Sequence, residues 1–188
     1  YIGSCTFKHC TSLEEINIPP SIKEIGIYAF DECANFIMFK KSKETYSIFM
    51  KLKKKLIISA KEAVIDLFFT TYKAEIESVT LFPIVKTIGE NAFSGYSSLN
   101  KIEFLSPITS IGQLAFNGCT ALKNFVIPSS VTSVGNYTFY QCTSLVDVTI
   151  SDSMNEIADN MFEQCTSLKN VKIPDSVTKI GYDSFSGC

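Results

Sequence analysis

Cysteine is the residue type here with the most chemistry to offer, and its spacing argues for packing instead. Cys10, Cys33, Cys119, Cys142, Cys165 and Cys188 share one position of an internal repeat, Tyr96 takes that position once, and Cys5 is out of phase. A tetrahedral zinc site asks for short paired spacings such as CxxC or CxxH. Cys5, His9 and Cys10 come nearest and do not meet them. Equivalent residues of stacked coils lie ~4.8 Å apart, inside the disulfide range, but their side chains point the same way where a bridge needs them convergent. The expectation is a ladder of buried free thiols. An odd number of cysteines leaves the redox compartment open. His9, the only histidine, falls at a variable repeat position and is read as neither general base nor metal ligand. With no Ser–His–Asp set, phosphate loop or metal constellation in view, the chain is expected to be non-enzymatic, without metal or cofactor.

Charge narrows the partners. The 17 basic residues are all lysine and face 19 acidic ones, for a formal charge of −2. There is no global basic field, and without arginine there is no planar fork to grip phosphate or guanine edges, so no nucleic-acid partner is expected. No run reaches the ~20 apolar residues that cross a bilayer, and no charged start with an apolar core marks a signal peptide. With 188 residues, 46% of them apolar, the chain is long enough to bury a core.

What positions these residues is a repeat. FEQCTSLKNVKIPDSVTKIGYDS (162–184), FYQCTSLVDVTISDSMNEIADNM (139–161), FNGCTALKNFVIPSSVTSVGNYT (116–138) and FSGYSSLNKIEFLSPITSIGQLA (93–115) align without a gap at a period of 23. FKHCTSLEEINIPPSIKEIGIYA (7–29) repeats the pattern, and 70–92 keeps the register through Val79, Leu81, Val85, Ile88, Gly89 and Ala92. Residues 30–69 form an irregular, enlarged coil, because Phe30 to Phe93 is two periods plus 17. The whole is one array, and its ends fall inside a coil, so a longer array is expected. Within each coil the LxxIxI element, such as Leu168, Val171 and Ile173, alternates as a short strand does, and the following proline ends it. Val177 and Ile180 add to the core on the returning half, a glycine such as Gly181, or Ala158 in one coil, suits a sharp bend where little room exists, and a short helical turn is expected through xxAFxxC. Phe7, Phe30, Phe93, Phe116, Phe139, Phe162 and Phe185 occupy one position and should stack in the core as a ladder, since no coil can bury its apolar face alone.

The string CTSLxxIxIPxSVTxIGxxAF resembles the BspA-like, or Treponema-type, class of leucine-rich repeats, over residues 1–36 and 76–188. The resemblance implies a right-handed, mainly β solenoid with short helical turns and a parallel sheet on its concave face. It also implies a cell-surface or secreted protein that adheres to host matrix or cell-surface proteins, with no catalytic residues to transfer.

If the apolar positions of LxxIxI point inward, their alternating partners face outward on the sheet. These are Glu15 and Asn17, Ser78 and Thr80, Lys101 and Glu103, Asn124 and Val126, Asp147 and Thr149, and Asn170 and Lys172. They are chemically mixed while their neighbours are monotonous, as a recognition surface for a protein partner requires. In the irregular coil, residues 44–60 resemble a family insert with two short strands about a polar turn. Lys51, Lys53, Lys54 and Lys55 would lie at or near that turn, either attracting an acidic partner or keeping a hairpin tip soluble. Asn136-Tyr137-Thr138 is a glycosylation sequon that carries information only if the chain is secreted. The leading expectation is thus a monomeric adhesion or ligand-binding module at the cell surface. The alternative is a cytoplasmic scaffold for protein–protein interaction, for which unpaired cysteines are suited.

Overall fold

The structure, a computed structural model, describes residues 1–13, 29–30, 32–33, 36–39, 48–52, 55–59, 73–81, 85–105 and 107–188. Thirteen strands are described: β1 Phe36–Phe39, β2 Ile48–Leu52, β3 Lys55–Ser59, β4 Ser78–Leu81, β5 Thr87–Ile88, β6 Lys101–Phe104, β7 Ser110–Ile111, β8 Asn124–Val126, β9 Ser133–Val134, β10 Asp147–Thr149, β11 Glu156–Ile157, β12 Asn170–Lys172 and β13 Lys179–Ile180. The LxxIxI segments pair in parallel one repeat apart, Ser78 opposite Lys101 and Asn124 opposite Asp147 and so Asn170. This makes a parallel-strand solenoid of the leucine-rich-repeat kind.

The returning half holds a second parallel ladder that periodicity did not announce. β5, β7 and β9 pair in sequence, as do β11 and β13, each strand two residues long. Segments this short carry no alternation to read. At the xxAFxxC corner, single turns form, the Cys119 N–H donating to Phe116 O at 3.1 Å and the Cys142 N–H to Phe139 O at 3.1 Å. None lengthens into a helix among the described residues. Leu114 at φ 56° and Gly118 at φ 68° flank this corner, and their left-handed backbone cannot continue a right-handed helix.

The core runs the length of the stack. Phe30, Phe93, Phe116, Phe139 and Phe162 are buried, and successive rings stack at 5.3 Å for Phe93–Phe116 and 5.4 Å for Phe116–Phe139, Phe139–Phe162 and Phe162–Phe185. Phe7 and Phe30 stack at 5.0 Å. The expected ladder is therefore core and not an exposed platform.

Gly112, Gly135 and Gly181 are required for space and not for a left-handed bend. A Cβ on Gly112 would lie 2.6 Å from Glu90 N, and one on Gly135 would overlap the backbone of Gln113. Where the position holds Ala158, β11 does not join β9, and the second sheet is split at that junction. A methyl group facing the preceding coil at such range stands where β9 and β11 would pair, while beside it the Tyr137 N–H still donates to Asp159 O at 3.1 Å.

The irregular coil inserts a reversed strand. β2 runs antiparallel to both β1 and β3, while β3 pairs in parallel with β4, Lys55 opposite Ser78 one full repeat on. β2 and β3 thus flank residues 53–54 as the resemblance implied; Lys53 and Lys54 lie outside the described residues, and Lys51 and Lys55 fall in β2 and β3.

Candidate functional site

Four of the six phased thiols are placed where chemistry is suppressed, while Cys10 is half-buried and Cys188 exposed. Cys33, Cys119, Cys142 and Cys165 are buried and unbridged. Each donates its S–H to the carbonyl of the preceding coil's phenylalanine: Cys33 to Phe7 O at 2.9 Å, Cys119 to Phe93 O at 3.2 Å, Cys142 to Phe116 O at 3.2 Å and Cys165 to Phe139 O at 3.1 Å. Phe116 O thereby accepts from Cys119 N and from the Cys142 thiol, which uses both of its lone pairs. Burial pushes Cys119 and Cys165 up to about 12, and burial, with the neighbouring thiols Cys119 and Cys165, holds Cys142 well above its ordinary range. Since the thiolate is the nucleophile, iodoacetamide at mildly alkaline pH is expected to label Cys5, Cys10 and Cys188, the thiols that are not buried, in the native protein and to reach these four only after denaturation, read by intact mass. Native labelling of the four would refute the ladder. The sign of the pH effect follows: a thiol raised in the folded state favours folding below its ordinary value near 9.0, and that contribution is lost as pH climbs towards about 12.

Tyr96, in the cysteine position, is fully buried, stands edge-on to Phe93 at 5.6 Å and has Lys73 Nζ 5.8 Å from its ring centre. Burial, then the Cys119 charge, raises its hydroxyl above the usual tyrosine range. His9 is on the surface, its Nδ1 2.9 Å from Glu32 Oε2 in the next coil. Thr138 of the sequon is buried, its hydroxyl donating to Gly135 O at 2.6 Å and lying 3.1 Å from Gly112 O, while Asn136 is exposed.

The outer face of the sheet is where side chains meet solvent. Lys101, Glu103, Asn124, Val126, Asp147, Thr149, Asn170 and Lys172 are all exposed, while Phe125 and Val148 between them are buried. Alternation thus holds over four consecutive coils. Ladder pairing sets Asn124, Asp147 and Asn170 in one column and Val126, Thr149 and Lys172 in another. Within the first, Asn170 Nδ2 donates to Asp147 Oδ1 at 3.1 Å. Val126, 64% exposed, is the apolar member among seven polar ones. The exposure expected of Thr80 is not found: it is 5% exposed and donates to Glu103 Oε2 at 3.2 Å. Ser78 beside it is half-buried, so among the residues whose burial is described the open face begins at β6. Glu15 and Asn17 lie outside the described residues.

A solenoid with a uniform interior and a varied outer sheet defines a repeat-type binding scaffold. The chain belongs to the family of BspA type leucine-rich-repeat regions, whose model matches residues 1–52 and 66–188 in six copies. Repeats of this family are generally non-enzymatic modules for protein–protein interaction. Among solved structures, a Treponema pallidum leucine-rich-repeat protein is similar at 25% identity, over 82% of this chain and 65% of that one, with a TM-score of 0.57. A leucine-rich cell surface protein of Faecalibacterium prausnitzii is similar at 30% identity, over 78% of this chain and 47% of that one, with a TM-score of 0.61. The pneumococcal vaccine antigen PcpA shares the fold, at 17% identity over 80% of this chain and 47% of that one and a TM-score of 0.54. The chain therefore spans under two thirds of the first of these structures and under half of the second. No curated protein matches it. No helix among the described residues is long and apolar enough to cross a membrane.

Proposed function

We propose that this chain is a non-catalytic adhesion or ligand-binding module displayed at a cell surface, and that it grips a protein partner with the outer face of its sheet from β6 to β12. The observation that carries this reading is eight exposed side chains of mixed chemistry on four rigid, stacked coils. Solvent exposure frees those positions to vary without cost to the core, and the buried strand residues between them hold the geometry fixed. The surface display is supported by likeness to the Faecalibacterium cell surface protein. Lys101, Glu103, Asp147 and Lys172 supply charges of both signs, which select a partner by complementary potential and steer its approach.

The test replaces Lys101, Glu103, Asp147 and Lys172 together by serine. Because all four are exposed, the fold should persist by circular dichroism while binding to host matrix proteins such as fibronectin or to cultured host cells falls to background. Binding that survives intact would move the contact to the lysine-bearing insert or the opposite side of the coils.

A further inference from the structure

The outer sheet is open at one junction. β4 pairs with β6, and β8 with β10 and through it with β12, but no pairing joins β6 to β8 among the described residues. Almost all of their Cα atoms stand more than 8 Å from each other, where paired strands sit ~4.8 Å apart. The two coils stay stacked around this opening. Ala121 N donates to Ser97 O at 3.1 Å, β7 pairs with β9, and Phe93 stacks on Phe116 at 5.3 Å.

Phenylalanine stands on both sides of this junction. The inward position of β8 holds Phe125 where β6, β10 and β12 have Ile102, Val148 and Val171, and the next inward position of β6 holds Phe104 where later coils have Ile127, Ile150 and Ile173. Phe104 and Phe125 meet edge to face with centroids 6.2 Å apart, and Phe125 also meets Phe116 at 5.1 Å and Phe139 at 4.8 Å. Rings at both adjoining inward positions make this junction bulkier than those that hold branched aliphatics.

The opening presents an apolar floor and peptide edges. Phe104 is half-buried at its base, and Leu105 and Val126 are exposed at its lips. In a parallel sheet alternate residues turn their N–H and C=O to opposite neighbours, so the facing edges of β6 and β8 carry backbone groups without a strand partner. The two edges face each other without a ladder between them, and unpaired edges of this kind template a further strand.

We propose that the gap between β6 and β8 takes an extended segment of a partner polypeptide, added as a strand that completes the sheet. Its alternate apolar side chains lie on Phe104 and Phe125, and its outward ones lie beside Val126. A peptide backbone is the occupant whose chemistry answers two open strand edges at once; a glycan offers no matching periodic donors and acceptors. The proposal rests on the outer face being the contact surface, and it locates the centre of that contact.

The experiment follows amide hydrogen exchange at Ile102, Phe104, Asn124 and Val126, with the synthetic peptide LKNVKIP, copied from residues 168–174, as the probe. In the unmodified protein the peptide should slow exchange at these amides by about tenfold or more. In Phe104→Ile/Phe125→Val the strands should close on each other, leaving the amides protected beforehand and the peptide without effect. Val126→Asp changes only an exposed lip, so its fold is safe, and it should weaken the peptide about tenfold. Amides of β6 and β8 as protected without peptide as those of β10 would overturn the proposal, as would a peptide that slows none of them, or one that binds Phe104→Ile/Phe125→Val equally well. Failure here is separable from failure of the adhesion reading. If the fourfold charge variant loses partner binding while Phe104→Ile/Phe125→Val keeps it, the face stands and the strand slot falls.

Discussion

Phe139→Ala should lower unfolding stability by about 3–5 kcal/mol, the range for removing a large aromatic from a packed core. Phe139 is fully buried, stacks on Phe116 and Phe162 at 5.4 Å and receives the edge of Phe125 at 4.8 Å. Truncation therefore strips contacts from both neighbouring coils as well as its own. Neither neighbour can collapse into the void, because each ring is held in the register of its own coil by Phe116 N to Thr138 O at 2.8 Å and Phe162 N to Ser184 O at 2.8 Å. Phe7→Ala, at a half-buried position with one stacking partner described, should cost less. Urea unfolding followed by circular dichroism measures both; a Phe139→Ala loss under about 1 kcal/mol would show that the ladder contributes little to the core.

The second large effect is expected at a residue with no side chain. Gly135→Ala places a methyl group into the backbone of Gln113 and within 2.7 Å of its Cα, and backbone cannot step aside as a flexible side chain does. Two coils must separate or tilt, at a cost of about 2 kcal/mol or more by the measure of overpacked cores. The reciprocal change, Ala158→Gly, should let β11 close onto β9 and slow amide exchange at the junction, subject to the entropic cost of glycine, about 0.5–1 kcal/mol. Thermal melts of Gly135→Ala that match the unmodified protein would remove close coil approach as the reason for glycine here.

Much of this architecture is written in single residues at a constant interval. The phenylalanine and cysteine ladders were legible because packing against an identical neighbour selects the same residue each time, and period alone then reveals depth. The outward positions from Lys101 to Lys172 were legible from alternation. The second sheet was not, because Ser110–Ile111 and its equivalents show one inward residue apiece, too little for a pattern. Glycine was read as suiting a sharp bend where little room exists; sequence reports the absence of a Cβ without naming what fills the space, and the backbone of Gln113 supplies that answer. Thr80 fits the outward pattern yet is covered, since alternation gives direction and not what lies above. The split between β6 and β8 did leave a signal, two phenylalanines at adjoining inward positions where the other coils hold branched aliphatics.

The two interruptions also fall at different places around the coil. Where β6 and β8 part, β7 and β9 remain joined, and where β9 and β11 part, β8 and β10 remain joined. Every contact between nearest neighbours from 93 to 184 thus retains at least one backbone ladder, and thermodynamic coupling along the chain is thinned without being cut. The array should melt as a single cooperative unit whose first excursions are local gapings at those two seams.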